Sequence, residues 1–152
     1  MKKTVSLVLV LSMIAVAVID FGTAANAQTP SNTEKALALI NTFATGDADM
    51  ARSLLAEDYI QHNLAYGIGA NAFVGSVEYL ASAEVKTTVN NIRVFEDGDK
   101  VFLQTVYNFA GADEQVAFDI FRIDKNGKIA EHWDVMETIA DDATWQNQNG
   151  NF

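Results

Sequence analysis

Near Ala83 the spacing of apolar residues changes from a helical repeat to an alternation, and this switch constrains the fold more than any other feature of the chain. Before it, Leu37, Ile40, Phe43 and Ala44, then Met50, Leu54 and Leu55, then Phe73, Val77 and Leu80 recur at the spacing that lines one face of a helix. Ser31 with Glu34 three residues later has the form of a capping box, Gly46 suits a helix stop, and Asp47 can cap a second, short helix. A third helix is predicted from about Ala70 to Ala81. After the switch, Val85, Val89 and Phe95 mark one strand, and Val101, Leu103, Tyr107 and Phe109 mark the next beyond the turn signal Glu96-Asp97-Gly98-Asp99. Gln115 to Ile123 and Lys128 to Thr138 follow as a third and a fourth strand. Helices first and an antiparallel meander second predict an α+β fold, in which a curved sheet covers its apolar face with the helices.

The ends of the chain set the domain limits. Lys2 and Lys3, an apolar run from Val5 to Ile19, and Ala25-Asn26-Ala27 have the order of a signal peptide over residues 1–27. A short linker over 28–32 holds the only proline, Pro30, and residues 33–152 form one domain. Cleavage leaves 152 − 27 = 125 residues with a charge of 8 − 19 = −11. The expected location is periplasmic or secreted, with no membrane attachment once the leader is removed. A surface this acidic repels phosphate backbones, so nucleic acid is not an expected partner. The absence of cysteine rules out a lipid anchor on that residue and any disulfide support.

Within the last strand, Lys128-Ile129-Ala130-Glu131-His132-Trp133-Asp134-Val135-Met136-Glu137 places an imidazole and a carboxylate two residues apart, hence on one face with Met136. The neighbours of that face depend on the preceding Asp124-Lys125-Asn126-Gly127-Lys128 turn. A three-residue loop sets Ile120 opposite His132 and Phe118 opposite Asp134; a two-residue Asn-Gly loop sets Phe121 opposite His132 and Asp119 opposite Asp134.

Tyr59-Ile60-Gln61-His62-Asn63, Phe118 to Ile123, Gly127 to Val135 and the terminal Asn147 to Phe152 stretch resemble the SnoaL-like family, in particular its aldol-condensation branch, within the nuclear transport factor 2-like superfamily. The resemblance implies a cone-shaped α+β barrel whose helices and strongly curved antiparallel sheet enclose a pocket. It implies acid/base chemistry on a small hydrophobic or carbonyl-containing molecule, with no metal and no organic cofactor. The residues it points to are Asp134, His132, Asp119 and His62 for catalysis, with Asn63 beside them; Gln104, where family members commonly have histidine, Tyr59, Trp133 and Phe118 are the further candidates for binding.

Aldol chemistry needs a base to take a proton α to a carbonyl and a donor to stabilise the developing oxyanion. Burial of Asp134 would raise its pKa into a useful range, and His132 could orient it or donate a proton. The plainer reading of Asp134 is an ion pair with Arg122 or His132 that fixes strand register. The two histidines with one carboxylate would have to meet in one place to bind zinc, so no metal site is expected. Trp133, Phe118, Phe121, Tyr107 and Phe109 serve either as pocket walls or as core. Large apolar groups on both faces of the last two strands predict a homodimer through the outer face of the sheet. The rival to an enzyme is a non-catalytic periplasmic binding or interaction domain on the same cone.

Overall fold

The computed structural model describes residues 29–150 and 152, so the expected signal peptide lies outside the described residues. Ser31 caps helix α1 (Asn32–Thr45): its side chain accepts from the Glu34 amide at 3.1 Å, and the Glu34 carboxylate accepts from the Ser31 amide at 2.7 Å. Such a cap contributes about 1 kcal/mol. Gly46 ends the helix at φ 73°, a left-handed conformation open to glycine, and its N–H returns to the Thr42 carbonyl. Asp47 then caps α2 (Ala48–Leu54) through the Met50 amide at 2.9 Å. Helix α3 (Gly69–Ser82) buries the expected stripe of Phe73, Val77 and Leu80, together with Val74.

Two expectations need correction. Leu55 does not extend the second helix; it opens strand β1 (Leu55–Gln61), which takes in most of the Tyr59 to Asn63 motif. Nor is the sheet wholly antiparallel. Strands β2 (Thr88–Asp97), β3 (Lys100–Asn108), β4 (Gln115–Ile123) and β5 (Ile129–Thr138) form the meander, and β1 joins its end parallel to β5, giving the order β1-β5-β4-β3-β2. A strand this far from its partner in sequence leaves no hairpin signal, and the irregular burial of Leu55–Gln61 hides its alternation.

The hairpin combines the two expected registers. Its loop is the three-residue form: Asp124 N–H donates to the Lys128 carbonyl at 2.8 Å, and Gly127 sits at φ 74°. Yet Arg122 pairs with Glu131 while Ile123 pairs with Ile129, so Ala130 is an extra residue on β5. This bulge advances β5 by one position, and beyond it Phe121 faces His132 and Asp119 faces Asp134.

The helices grip the sheet near its margins, α3 against β1 and α1 against β2 and β3. Leu39, Ile40, Val74, Val77, Val101, Leu103, Phe121 and Ile129 are buried in the core between the layers. The inner face of β4 and β5 is left as the floor of a cavity.

Candidate active site

The cavity holds about 310 Å³ and is walled mainly by aromatic rings, among them Phe43, Tyr59, Phe73, Tyr107 and Phe109, with Asp119, His132 and Asp134 on its floor. The rings pack on one another: Phe43 lies 4.9 Å from Phe73, and Tyr107 stacks on Phe109 at 4.9 Å. This is the lower end of the size range of small-molecule pockets, an apolar body with a few polar groups at one end.

On the floor a chain of hydrogen bonds fixes every proton in turn. The Asn63 backbone N–H donates to Gln61 Oε1 at 3.0 Å, which turns the Gln61 NH₂ towards His132. That amide lies 3.0 Å from His132 Nδ1, so Nδ1 accepts and the ring proton sits on Nε2. Nε2 donates to Asp119 Oδ1 at 3.1 Å, and Tyr107 Oη donates to Asp119 Oδ2 at 2.9 Å. Phe121, the cross-strand neighbour set by the bulge, stacks on the imidazole at 4.3 Å. Asp119 and His132 are 3% and 6% exposed, so this network is dry and fully paired.

Asp134 is the contrast. It stands directly across from Asp119 on β5, but its Oδ1 is buried without a hydrogen-bond partner. Burial pushes its carboxyl above the ordinary aspartate range, opposed by the His132 ring and by a hydrogen bond from the Asn63 side chain, and reinforced by the charge of Asp119. Tyr59 Oη is likewise buried and unpartnered, and Tyr59 is 3% exposed.

The structure therefore brings together Asp134, His132, Asp119, Tyr59 and Asn63 and separates the other expected residues from them. His132 holds Asp119, not Asp134, and both its ring nitrogens are engaged, so it positions a neighbour and is not a free proton donor. His62, Trp133, Phe118 and Gln104 project from the opposite face. His62 stacks on Trp133 at 4.4 Å and meets Glu131 at 2.9 Å, Phe118 is exposed, and Gln104 binds Arg93 at 2.5 Å. Alternation explains all four: His62 is out of phase with Tyr59 and Gln61, Trp133 with His132 and Asp134, Phe118 with Asp119, and Gln104 with Leu103 and Thr105. Of the aromatic residues, Tyr107 and Phe109 wall the cavity and Phe121 is core. Gln61 and Tyr66 escaped the sequence reading. A period of two through Tyr59, Gln61 and Asn63 would have found Gln61, had that segment been read as a strand.

Asp119, His132 and Asp134 each offer one ligand atom, all within 4.8 Å of one another, which is the spacing of a cation site. Only Asp134 Oδ1 is uncommitted among them; a metal would have to displace the bond from Gln61 or the His132–Asp119 pair. The residues present thus fit the hydrogen-bonded arrangement better than a metal centre.

The sequence profile of the SnoaL-like domain matches residues 36–132, more than half of the chain. Among curated proteins none matches. Solved structures share the architecture. A nuclear transport factor 2-like protein of unknown function from Cytophaga hutchinsonii is 18% identical, superposes with a TM-score of 0.62, and the match covers 73% of this chain and 94% of that one. TsrD of Streptomyces laurentii is 20% identical with a TM-score of 0.59, covering 69% and 87%. An LEH-like epoxide hydrolase from M. tuberculosis is 17% identical with a TM-score of 0.59, covering 70% and 82%. These likenesses establish the cone-shaped, nuclear transport factor 2-like fold.

Proposed function

The chain belongs to the SnoaL-like domain family, and from that membership we propose that it is a lyase or isomerase working by acid/base chemistry on a small carbonyl compound, without a metal or organic cofactor. The observation that carries this reading is the pairing of unlike carboxyls on one cavity floor. Asp119 is fixed by two donors, whereas Asp134 keeps an unpartnered oxygen and a raised pKa. Two acids whose surroundings drive them apart divide the work: one fixes geometry, the other moves a proton. Asp134 takes the proton α to the substrate carbonyl and returns it to the product. His132, held by Gln61, keeps Asp119 in place.

Two further parts of the reading concern the whole protein. The leader over residues 1–27 directs export, so the domain works in the periplasm or outside the cell. The outer face of the sheet carries the dimer contact. Phe95, Phe102, Ile120 and Trp133 stand in one row across four strands, beside Phe118 and Val135, and Phe95, Phe118 and Val135 are mostly exposed. Sedimentation of the mature domain as a monomer at micromolar concentration would remove this part alone.

The catalytic reading is tested by α-proton exchange. Small aryl ketones are incubated in D₂O with the wild type and with Asp134→Asn, and loss of the α-proton signal is followed by NMR. Asparagine keeps the shape but cannot accept a proton, so the rate should fall by about 10²–10⁴-fold. Equal rates in the two proteins would refute Asp134 as the base, and saturable binding with no exchange in either would favour a binding domain.

A further inference from the structure

Gln61 and His132 are partners across the parallel pairing of β1 with β5, and the Gln61 amide meets the imidazole there. That amide has a fixed sense. Its Oε1 accepts the Asn63 backbone N–H at 3.0 Å, so turning it over would set its NH₂ against that N–H. An N–H therefore faces His132 Nδ1 at 3.0 Å, and Nδ1 must supply the lone pair. The ring is held as well: Phe121 stacks on it at 4.3 Å, and Nε2 lies 3.1 Å from Asp119 Oδ1. The other oxygen of Asp119 accepts from Tyr107 Oη at 2.9 Å. A proton on Nδ1 instead would turn the Nε2 lone pair against Asp119 Oδ1, and the carboxylate would have to swing away or take up a proton. Asp119 stands directly across from Asp134, so either change reaches the acid with the unpartnered oxygen.

We propose that Gln61 is a positioning residue that locks His132 in its Nε2–H tautomer, so that Asp119 remains a carboxylate with both oxygens bonded, opposite Asp134. The consequence for turnover rests on the acid/base reading above; the lock itself does not. The chemistry of the position calls for glutamine. Glutamate has the same length and could keep the Asn63 anchor, but a carboxylate only accepts, so it would demand a proton on Nδ1. Methionine fills similar space and offers His132 no N–H. One atom at position 61 thus decides which ring nitrogen carries the proton. Gln61 also lines the cavity, so the rival role is direct contact with the ligand, which would act on affinity and would not need His132.

The test joins nitrogen NMR to the α-proton exchange of aryl ketones. Long-range ¹H–¹⁵N correlation at pH 7 should show His132 with a bare Nδ1 and a protonated Nε2. His62 is the only other histidine, and the spectrum of His132→Gln identifies the signals of position 132. In Gln61→Glu the proton should appear on Nδ1, and in Gln61→Met the two nitrogens should show the averaged shifts of a mixture. Gln61→Met should keep the wild-type circular dichroism, with kcat for exchange lower by about 10–10²-fold, as for a misplaced reacting group, and KM within about twofold. His132→Gln puts an amide N–H in place of Nε2–H and leaves no tautomer to set, so adding Gln61→Met to it should slow exchange by less than about twofold further. A protonated Nδ1 in the wild type, or a His132 spectrum unchanged in Gln61→Glu, overturns the lock. A Gln61→Met that raises KM and spares kcat, or that costs as much in the His132→Gln background as alone, makes Gln61 a ligand contact and overturns its positioning role. If Gln61→Glu moves the proton as expected while the wild type exchanges no ketone, the lock stands and the acid/base reading fails.

Discussion

Glu131 and Asp134 lie three residues apart on β5 and belong to different worlds. Glu131 points outward, where Arg122 Nε donates to it at 2.5 Å and His62 Nε2 meets it at 2.9 Å. The His62 hydrogen bond first, then Arg122, holds its carboxyl below the usual glutamate range. Asp134 points inward, keeps one oxygen without a partner, and has its carboxyl raised by burial. The histidines divide in the same way: His62 stacks on Trp133 at the outer face, and His132 is sealed between Gln61, Phe121 and Asp119. The outer face satisfies its charges as they come; the inner face satisfies one acid fully and leaves one oxygen of the other without a partner. A chain optimised for stability alone would pair both, and this inequality is what supports the proposal that the inner face is the working one.

The largest effect should come from breaking the sealed network. Asp119→Ala leaves the Tyr107 hydroxyl and the His132 Nε2–H without an acceptor in a dry core and opens a small void. Each orphaned group costs about 1–3 kcal/mol, so urea denaturation should show a loss of roughly 2–5 kcal/mol. A loss below about 1 kcal/mol would mean that water already reaches this pair and that the faces differ less than their geometry indicates.

How much of this contrast was legible in the sequence follows from how each part is encoded. Local signals wrote the helices: the Ser31–Glu34 box, Gly46 and the Phe73, Val77 and Leu80 stripe act over a few residues, whereas α1 buries Ala36, Leu39, Ile40 and Thr42, of which the expected stripe holds only Ile40. Alternation placed His132, Asp134 and Met136 on one face, because period two needs no knowledge of the partner strand. The partner itself was hidden. Whether Asp134 meets Phe118 or Asp119 turns on one extra residue, Ala130, and alanine carries no bulge signal of its own. The strand β1 was hidden for a related reason: its parallel pairing with β5 joins segments some seventy residues apart, so no turn announces it. Gln61, which sets the His132 tautomer, was lost with that strand. The family resemblance found the motif but not its phase, which is why His62 was grouped with residues on the far side of the sheet.

A second effect, smaller and opposite in sign, distinguishes the inner acid. Folding raises the affinity of Asp134 for its proton, so its ionised form opposes folding. That penalty is absent below the unfolded aspartate value of about 4, grows as pH rises through the folded value, and is constant above it. Asp134→Asn removes the penalty. The variant should gain on the order of 1 kcal/mol at pH 7, and the gain should vanish near pH 3. Denaturant midpoints at the two pH values check this; a loss of stability at pH 7 would restore the register-fixing ion pair as the role of Asp134.

The smallest effect belongs to the outer acid and has the reverse pH dependence. Folding lowers the Glu131 pKa, so its contribution is complete above the unfolded glutamate value of about 4.3 and is lost as pH falls through the folded one. Its partners are partly solvated, with side chains 29% exposed for Arg122 and 36% for His62, so solvent screens part of the attraction. Glu131→Gln should therefore lower stability by under about 1 kcal/mol at pH 7, by less in high salt, and by nothing near pH 3. It should leave ketone exchange unchanged, because the backbone of β5 carries no proton between its faces and Asp119 keeps both its donors. If Glu131→Gln slowed exchange as much as Asp134→Asn, proton traffic would have to pass through His62 and Trp133, and the two faces of β5 could not be assigned separate roles.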